Sequence, residues 1–110
     1  MKNIILFTFL GLTILTPLIS NSTFAADISK GKGIFASNCA SCHKGGGNQF
    51  NPDKSLSKDA LEKYGLFSLK AIKQQITDGK PPMPGFKGKL SESQIEDVAA
   101  YVMEQAEKGW

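Results

Sequence analysis

Arginine is absent from this 110-residue chain: all 13 basic residues are lysines, set against 10 acidic ones for a net charge of +3. That absence weighs against a nucleic-acid or phosphate site built on planar guanidinium forks. No basic tract or aromatic ladder takes their place. Cysteine and histidine are scarce, with two of the first and one of the second, and two cysteines cannot build a disulfide-dense scaffold. Long apolar runs are missing as well. A spanning helix needs roughly 20 apolar residues, whereas the stretch from Ile4 to Ile19 is interrupted by Thr8, Gly11, Thr13 and Pro17.

That stretch has the anatomy of an export signal instead. Lys2 is the only charge in the first 25 residues, an apolar centre follows, and Thr23-Phe24-Ala25 supplies a small-residue exit. Residues 1–25 are expected to be cleaved, leaving one domain over residues 26–110 that spans no membrane. An unaided core of that size is marginal, so a disulfide set, a metal or a cofactor is expected to complete it.

Helical spacing dominates the remainder, and no strand candidate competes. Ile28, Gly31, Ile34 and Phe35 recur at the three-to-four spacing of one helical face, placing a first helix from Asp27 to about Asn38. Gly31 and Gly33 weaken it intrinsically; a glycine inside such a pattern points to a close backbone approach, most simply a crossing helix. Ser57 can cap a short helix running to Tyr64, with Gly65 as a left-handed stop. Ser68 can cap another, with Leu69, Ile72 and Ile76 inward and Gly79 at its end. The run Lys80-Pro-Pro-Met-Pro-Gly85 cannot be helical, because its three prolines lack amide donors. Ser91 and Gln94 form a capping box and Leu90 and Ile95 a hydrophobic staple. They open a helix from Glu92 to about Lys108 whose stripe is Ile95, Val98, Ala99, Val102 and Ala106. The expected fold is all-α, about four helices with one long structured loop.

The scarce residues are adjacent. Cys39-Ala-Ser-Cys42-His43 has the Cys-x-x-Cys-His spacing of c-type haem attachment. One tight helical turn can set both sulfurs against the two vinyl groups of one porphyrin while the next residue aims its imidazole at the iron. The same pair could be a thiol redox couple, half of a zinc site or a plain disulfide. Zinc lacks a fourth Cys or second His, and a dithiol enzyme normally sits on a strand–helix alternation that is missing here. With His43 on one axial position, the candidates for the other are Met83 and Met103. Met103 lies within the regular terminal helix. Met83 lies in the proline-stiffened loop and is the better sixth ligand. His/Met ligation raises the potential and suits electron transfer rather than substrate chemistry.

CASCH, the KGGGN that follows it, the GKPPMPGF loop and the terminal VAAYVMEQAEKGW together resemble the cytochrome c6 family, the soluble class I c-type cytochromes of algae and cyanobacteria. The resemblance implies a class I cytochrome c fold in which first and last helices cross near a glycine and an aromatic, matched here by Gly31, Phe35 and Tyr101. It implies one covalently bound c-type haem, with thioethers at Cys39 and Cys42, His43 proximal and Met83 distal. Gln75 matches a polar residue that approaches the haem. Pro82 and Gly85 depart from the small residue and the Ala usual in relatives. The implied role is a monomeric, non-enzymatic carrier that docks transiently, passing single electrons from cytochrome f of the cytochrome b6f complex to photosystem I in a thylakoid lumen, plastid or cyanobacterial. A periplasmic or lumenal donor to a terminal oxidase is the alternative. Phe86 and the Pro-Pro-Met-Pro loop are candidates for an apolar docking patch or for cofactor cover, and lysines such as Lys54, Lys80, Lys87 and Lys89 for steering.

Overall fold

The computed structural model describes residues 11–14 and 26–110. The expected signal segment, residues 1–25, lies outside the described residues except for 11–14. Five helices follow in chain order: α1 (Ile28–Asn38), α2 (Ala40–His43), α3 (Lys58–Lys63), α4 (Leu69–Asp78) and α5 (Glu92–Lys108). Four correspond to the expected helices. The fifth, α2, is the single turn inside the cysteine motif. Among the described residues the only β-type pairings are two isolated bridges, and no helix is long and apolar enough to cross a membrane.

Every helix except α2 starts on a side-chain cap. The side chains of Asp27, Ser57 and Ser68 accept from the backbone amides of Lys30, Ala60 and Ala71, satisfying N–H groups that a helix leaves unpaired. At α5 the capping box closes both ways: Ser91 Oγ accepts from the Gln94 amide at 3.1 Å and Gln94 Oε1 from the Ser91 amide at 2.8 Å. The stops are glycines with left-handed backbone, Gly65 at φ 70° after α3 and Gly79 at φ 68° after α4.

The core gathers around α5. Ile95, Val98, Ala99, Val102 and Ala106 are all buried, as the stripe requires, and they meet Phe35 of α1, Leu61 of α3, and Ile72 and Ile76 of α4. α1 lies against α5 at Gly31, where an added Cβ would come within 2.1 Å of the Asp97 carbonyl oxygen and 2.9 Å of Tyr101 Cβ. Only hydrogen permits that approach. Gly33 corrects the sequence expectation: a Cβ there meets nothing within 4 Å, because two residues along a helix turn the side chain to nearly the opposite face. Ile28 and Leu69, expected inward, are 38% and 37% exposed, each being the first residue of its helix. The crossing carries an aromatic cluster, with the Phe35 ring 5.4 Å from Tyr101 and 5.2 Å from Trp110.

Candidate functional site

Cys39 ends α1 and opens α2, so the cysteine motif is a helix junction followed by one turn. The His43 amide donates to the Cys39 carbonyl at 2.9 Å, fixing that turn. Immediately after it, Gly45 (φ 62°) and Gly46 (φ 80°) reverse the chain. The reversal brings the Gly47 carbonyl oxygen to 2.8 Å from His43 Nδ1. A carbonyl can only accept, so Nδ1 carries the proton. Nε2 is then left with a free lone pair, the tautomer and orientation that metal-ligating histidines show when their other nitrogen donates to a carbonyl.

Met83 is held by a loop pinned to the end of α4. The Lys80 amide donates to the Met83 carbonyl at 3.0 Å and the Met83 amide to the Lys80 carbonyl at 2.7 Å, while the Phe86 and Lys87 amides donate to the Ile76 and Thr77 carbonyls at 2.9 and 3.2 Å. These bonds use carbonyls that the last turn of α4 would otherwise leave unpaired. Gly85 lets the loop close: a Cβ there would stand 2.7 Å from the Asp78 carbonyl oxygen. The departure from Ala at this position therefore permits a tighter approach to α4. The Gln75 side-chain amide donates to Met83 Sδ at 3.6 Å, so this polar residue reaches the thioether itself.

Cys39, Cys42, His43, Met83 and Gln75 all line one cavity of about 480 Å³, within the size range of cofactor sites. Its walls are mainly apolar, drawn from the α3, α4 and α5 core. Met103 packs against the core at the edge of α5 and does not line the cavity. Phe86 does line it but is only 9% exposed, so it is an inner wall rather than part of a docking patch; Pro81, Pro82 and Pro84 are exposed. Phe50, 64% exposed and also on the cavity lining, was not singled out by sequence. Its loop has no periodicity, and the signal was Asn48, whose Oδ1 accepts from the Phe50 and Asn51 amides at 3.1 and 3.0 Å in an Asx turn.

The donors suit a covalently held porphyrin and suit the rival chemistries poorly. Burial, with Cys42 beside it, pushes the Cys39 thiol up to about 11, whereas a dithiol enzyme needs a thiolate at neutral pH. Among the described residues no group of three His, Cys, Asp or Glu is arranged to hold a bare metal ion. An oriented imidazole lone pair and a thioether on one apolar cavity, with two thiols at its edge, fit the axial and covalent attachments of a c-type haem.

The fold and this donor set define a class I c-type cytochrome. Known proteins agree: a family model described as cytochrome c oxidase, cbb3-type, subunit III, matches residues 26–102. The cytochrome c6 of a Synechococcus species is 49% identical over 110 residues, covering 100% of this chain and 98% of that protein. That of Bumilleriopsis filiformis is 55% identical over 85 residues, 77% of this chain and 99% of that protein. The solved cytochrome c6 of the diatom Phaeodactylum tricornutum matches with a TM-score of 0.75 at 49% identity, covering 76% of this chain and 99% of that one. The chain belongs to the cytochrome c6 family. Membership implies a c-type haem and the work of an electron carrier.

Proposed function

We propose that the mature protein, residues 26–110, carries single electrons on one haem joined covalently to Cys39 and Cys42 and ligated by His43 and Met83. The electrons pass from cytochrome f of the cytochrome b6f complex to photosystem I in the thylakoid lumen. The observation that carries the site assignment is the convergence of all four side chains on one cavity with the His43 tautomer already selected by Gly47.

Each residue has a separate task. Cys39 and Cys42 would hold the haem covalently, each thiol adding its S–H across one vinyl group. His43 offers Nε2, and its Nδ1–H bond to Gly47 makes the imidazole more basic and stops ring rotation. Met83 offers a soft thioether that favours the reduced iron, and the Gln75 amide steadies that sulfur. The haem, when bound, supplies one reversible electron. Held by both His43 and Met83, the iron would have no position open to water or substrate, which suits electron transfer rather than substrate chemistry. Phe50, Pro81 and Pro82 supply apolar contact at the exposed rim, and Lys54 and Lys80 supply charge, giving steered but short-lived docking.

A second reading, donation to a terminal oxidase, draws support from the matching family, described as subunit III of cbb3-type cytochrome c oxidase. It uses the same haem and the same rim. A thiol–disulfide enzyme is the rival of a different class, and intact mass separates it from either carrier. The exported protein is expected to weigh one haem more than residues 26–110 alone and to have no alkylatable thiol. Cys39→Ala or Cys42→Ala is expected to keep haem by one thioether or to lose it on export. Two free thiols in the native protein, or a Cys39→Ala or Cys42→Ala variant whose haem spectrum still reports two thioether bonds, would contradict the assignment.

A further inference from the structure

We infer that Trp110, the last residue of the chain, is a positioning residue for the axial histidine. Its indole lies flat against Gly46: a Cβ on that glycine would fall 2.2 to 2.4 Å from three atoms of the ring. Trp110 Nε1–H donates to the Leu56 carbonyl at 2.8 Å, and the Leu56 amide donates to the Gly46 carbonyl at 2.7 Å. The indole thus grips both members of one backbone pair, of which Leu56 lies 54 residues away in sequence. The next residue after Gly46 is Gly47, whose carbonyl holds the His43 Nδ1 proton. Glycine is the most permissive of residues, and three in succession, Gly45 to Gly47, would not by themselves keep that carbonyl aimed. Packing of the same indole against Phe35 and Tyr101 makes the α1–α5 crossing the fixed support of the loop.

Loosening the grip weakens the Nδ1–H bond, makes the imidazole a poorer donor and destabilises the oxidised iron, so the potential rises. The inference rests on His43 being the axial ligand. It is tested on the mature holoprotein with Trp110→Leu, Trp110→Phe and Tyr101→Leu, by NMR exchange of the His43 Nδ1 proton and by midpoint potential. Trp110→Leu is expected to speed that exchange at least tenfold and raise the potential. Trp110→Phe keeps a ring on Gly46 but loses the N–H, and is expected to show a smaller change in the same direction. Tyr101→Leu removes one support of the indole but keeps the indole on Gly46 and its N–H on Leu56, and is expected to lower stability while moving both readouts less than Trp110→Leu does. If Trp110→Leu does not fold, unmoved exchange in Trp110→Phe overturns the inference; so does an equal response from Tyr101→Leu. A wild-type oxidised protein whose His43 proton shows no paramagnetic shift defeats the ligand assignment instead. A shifted wild-type proton with unmoved Trp110 variants defeats this inference alone.

Discussion

Replacing Met83 by Ala is expected to yield a protein that still carries haem but whose potential falls by a few tenths of a volt, within the roughly 0.8 V range that axial ligands span. Its iron is expected to bind carbon monoxide when reduced and cyanide when oxidised, and the parent protein is expected to resist both. The reasoning is local. The Phe86 and Lys87 amides just after the loop bond the Ile76 and Thr77 carbonyls of α4, and the Met83 backbone pairs with Lys80, so truncation to Ala removes the thioether while leaving every backbone bond that holds the loop. Attachment through Cys39 and Cys42 is untouched, and haem content is therefore the internal control. Redox titration with ligand-binding spectra checks it. An unchanged potential would show that Met83 is not the ligand and return Met103 to consideration.

Gly31→Ala is expected to destabilise the holoprotein by about 3 kcal/mol, the upper end of overpacking costs. In a domain of this size that lowers the melting temperature by roughly 12–24 °C. The new methyl would meet the Asp97 carbonyl oxygen at 2.1 Å, and backbone in the middle of α5 cannot move aside as a flexible side chain can. Gly33→Ala is the matched control. Its methyl enters open space, so the helix-propensity gain acts alone and stability is expected to rise by about 0.5–1 kcal/mol. Thermal or denaturant unfolding of the two variants decides between a crossing specified at one glycine and a general intolerance of alanine in α1. Equal effects of either sign would dissolve the distinction.

What could be read from the sequence was what is encoded locally. Ser57, Ser68 and the Ser91–Gln94 box act within three residues of themselves, and the α5 stripe repeats within a turn, so caps, boundaries and the buried face all agree with the structure. Cys39, Cys42 and His43 are nearly contiguous, and Met83 stood out because proline ruled out a helix around it; the structure brings all four to one cavity, while their roles there belong to the proposal. The misses have equally physical origins. Ile28 and Leu69 fit the periodicity but stand at the first position of their helices, where the chain has not yet turned inward. Gly31 and Gly33 look alike in composition and differ only in which face they occupy. Phe86 was ambiguous between wall and docking surface until burial made it a wall. Trp110, Leu56 and Gly46 lie far apart along the chain, and only the folded chain brings the indole, the carbonyl and the glycine together.

Part of the charge is gathered beside α3. Lys54 and Lys63 stand 5.2 and 5.5 Å from the Tyr64 ring centre and Lys58 5.4 Å from that of Phe67. These cations are thus placed against aromatic faces beside α3 rather than paired with carboxylates, apart from the weak exposed contact of Lys58 with Glu62. Steering by such exposed charges weakens as salt is added, which gives the docking proposal its own signature.

The most direct test of the account is the re-reduction of flash-oxidised photosystem I by the purified, reduced holoprotein. The account predicts a rate that climbs with protein concentration and changes with ionic strength. No reaction at physiological concentration would contradict the photosynthetic role.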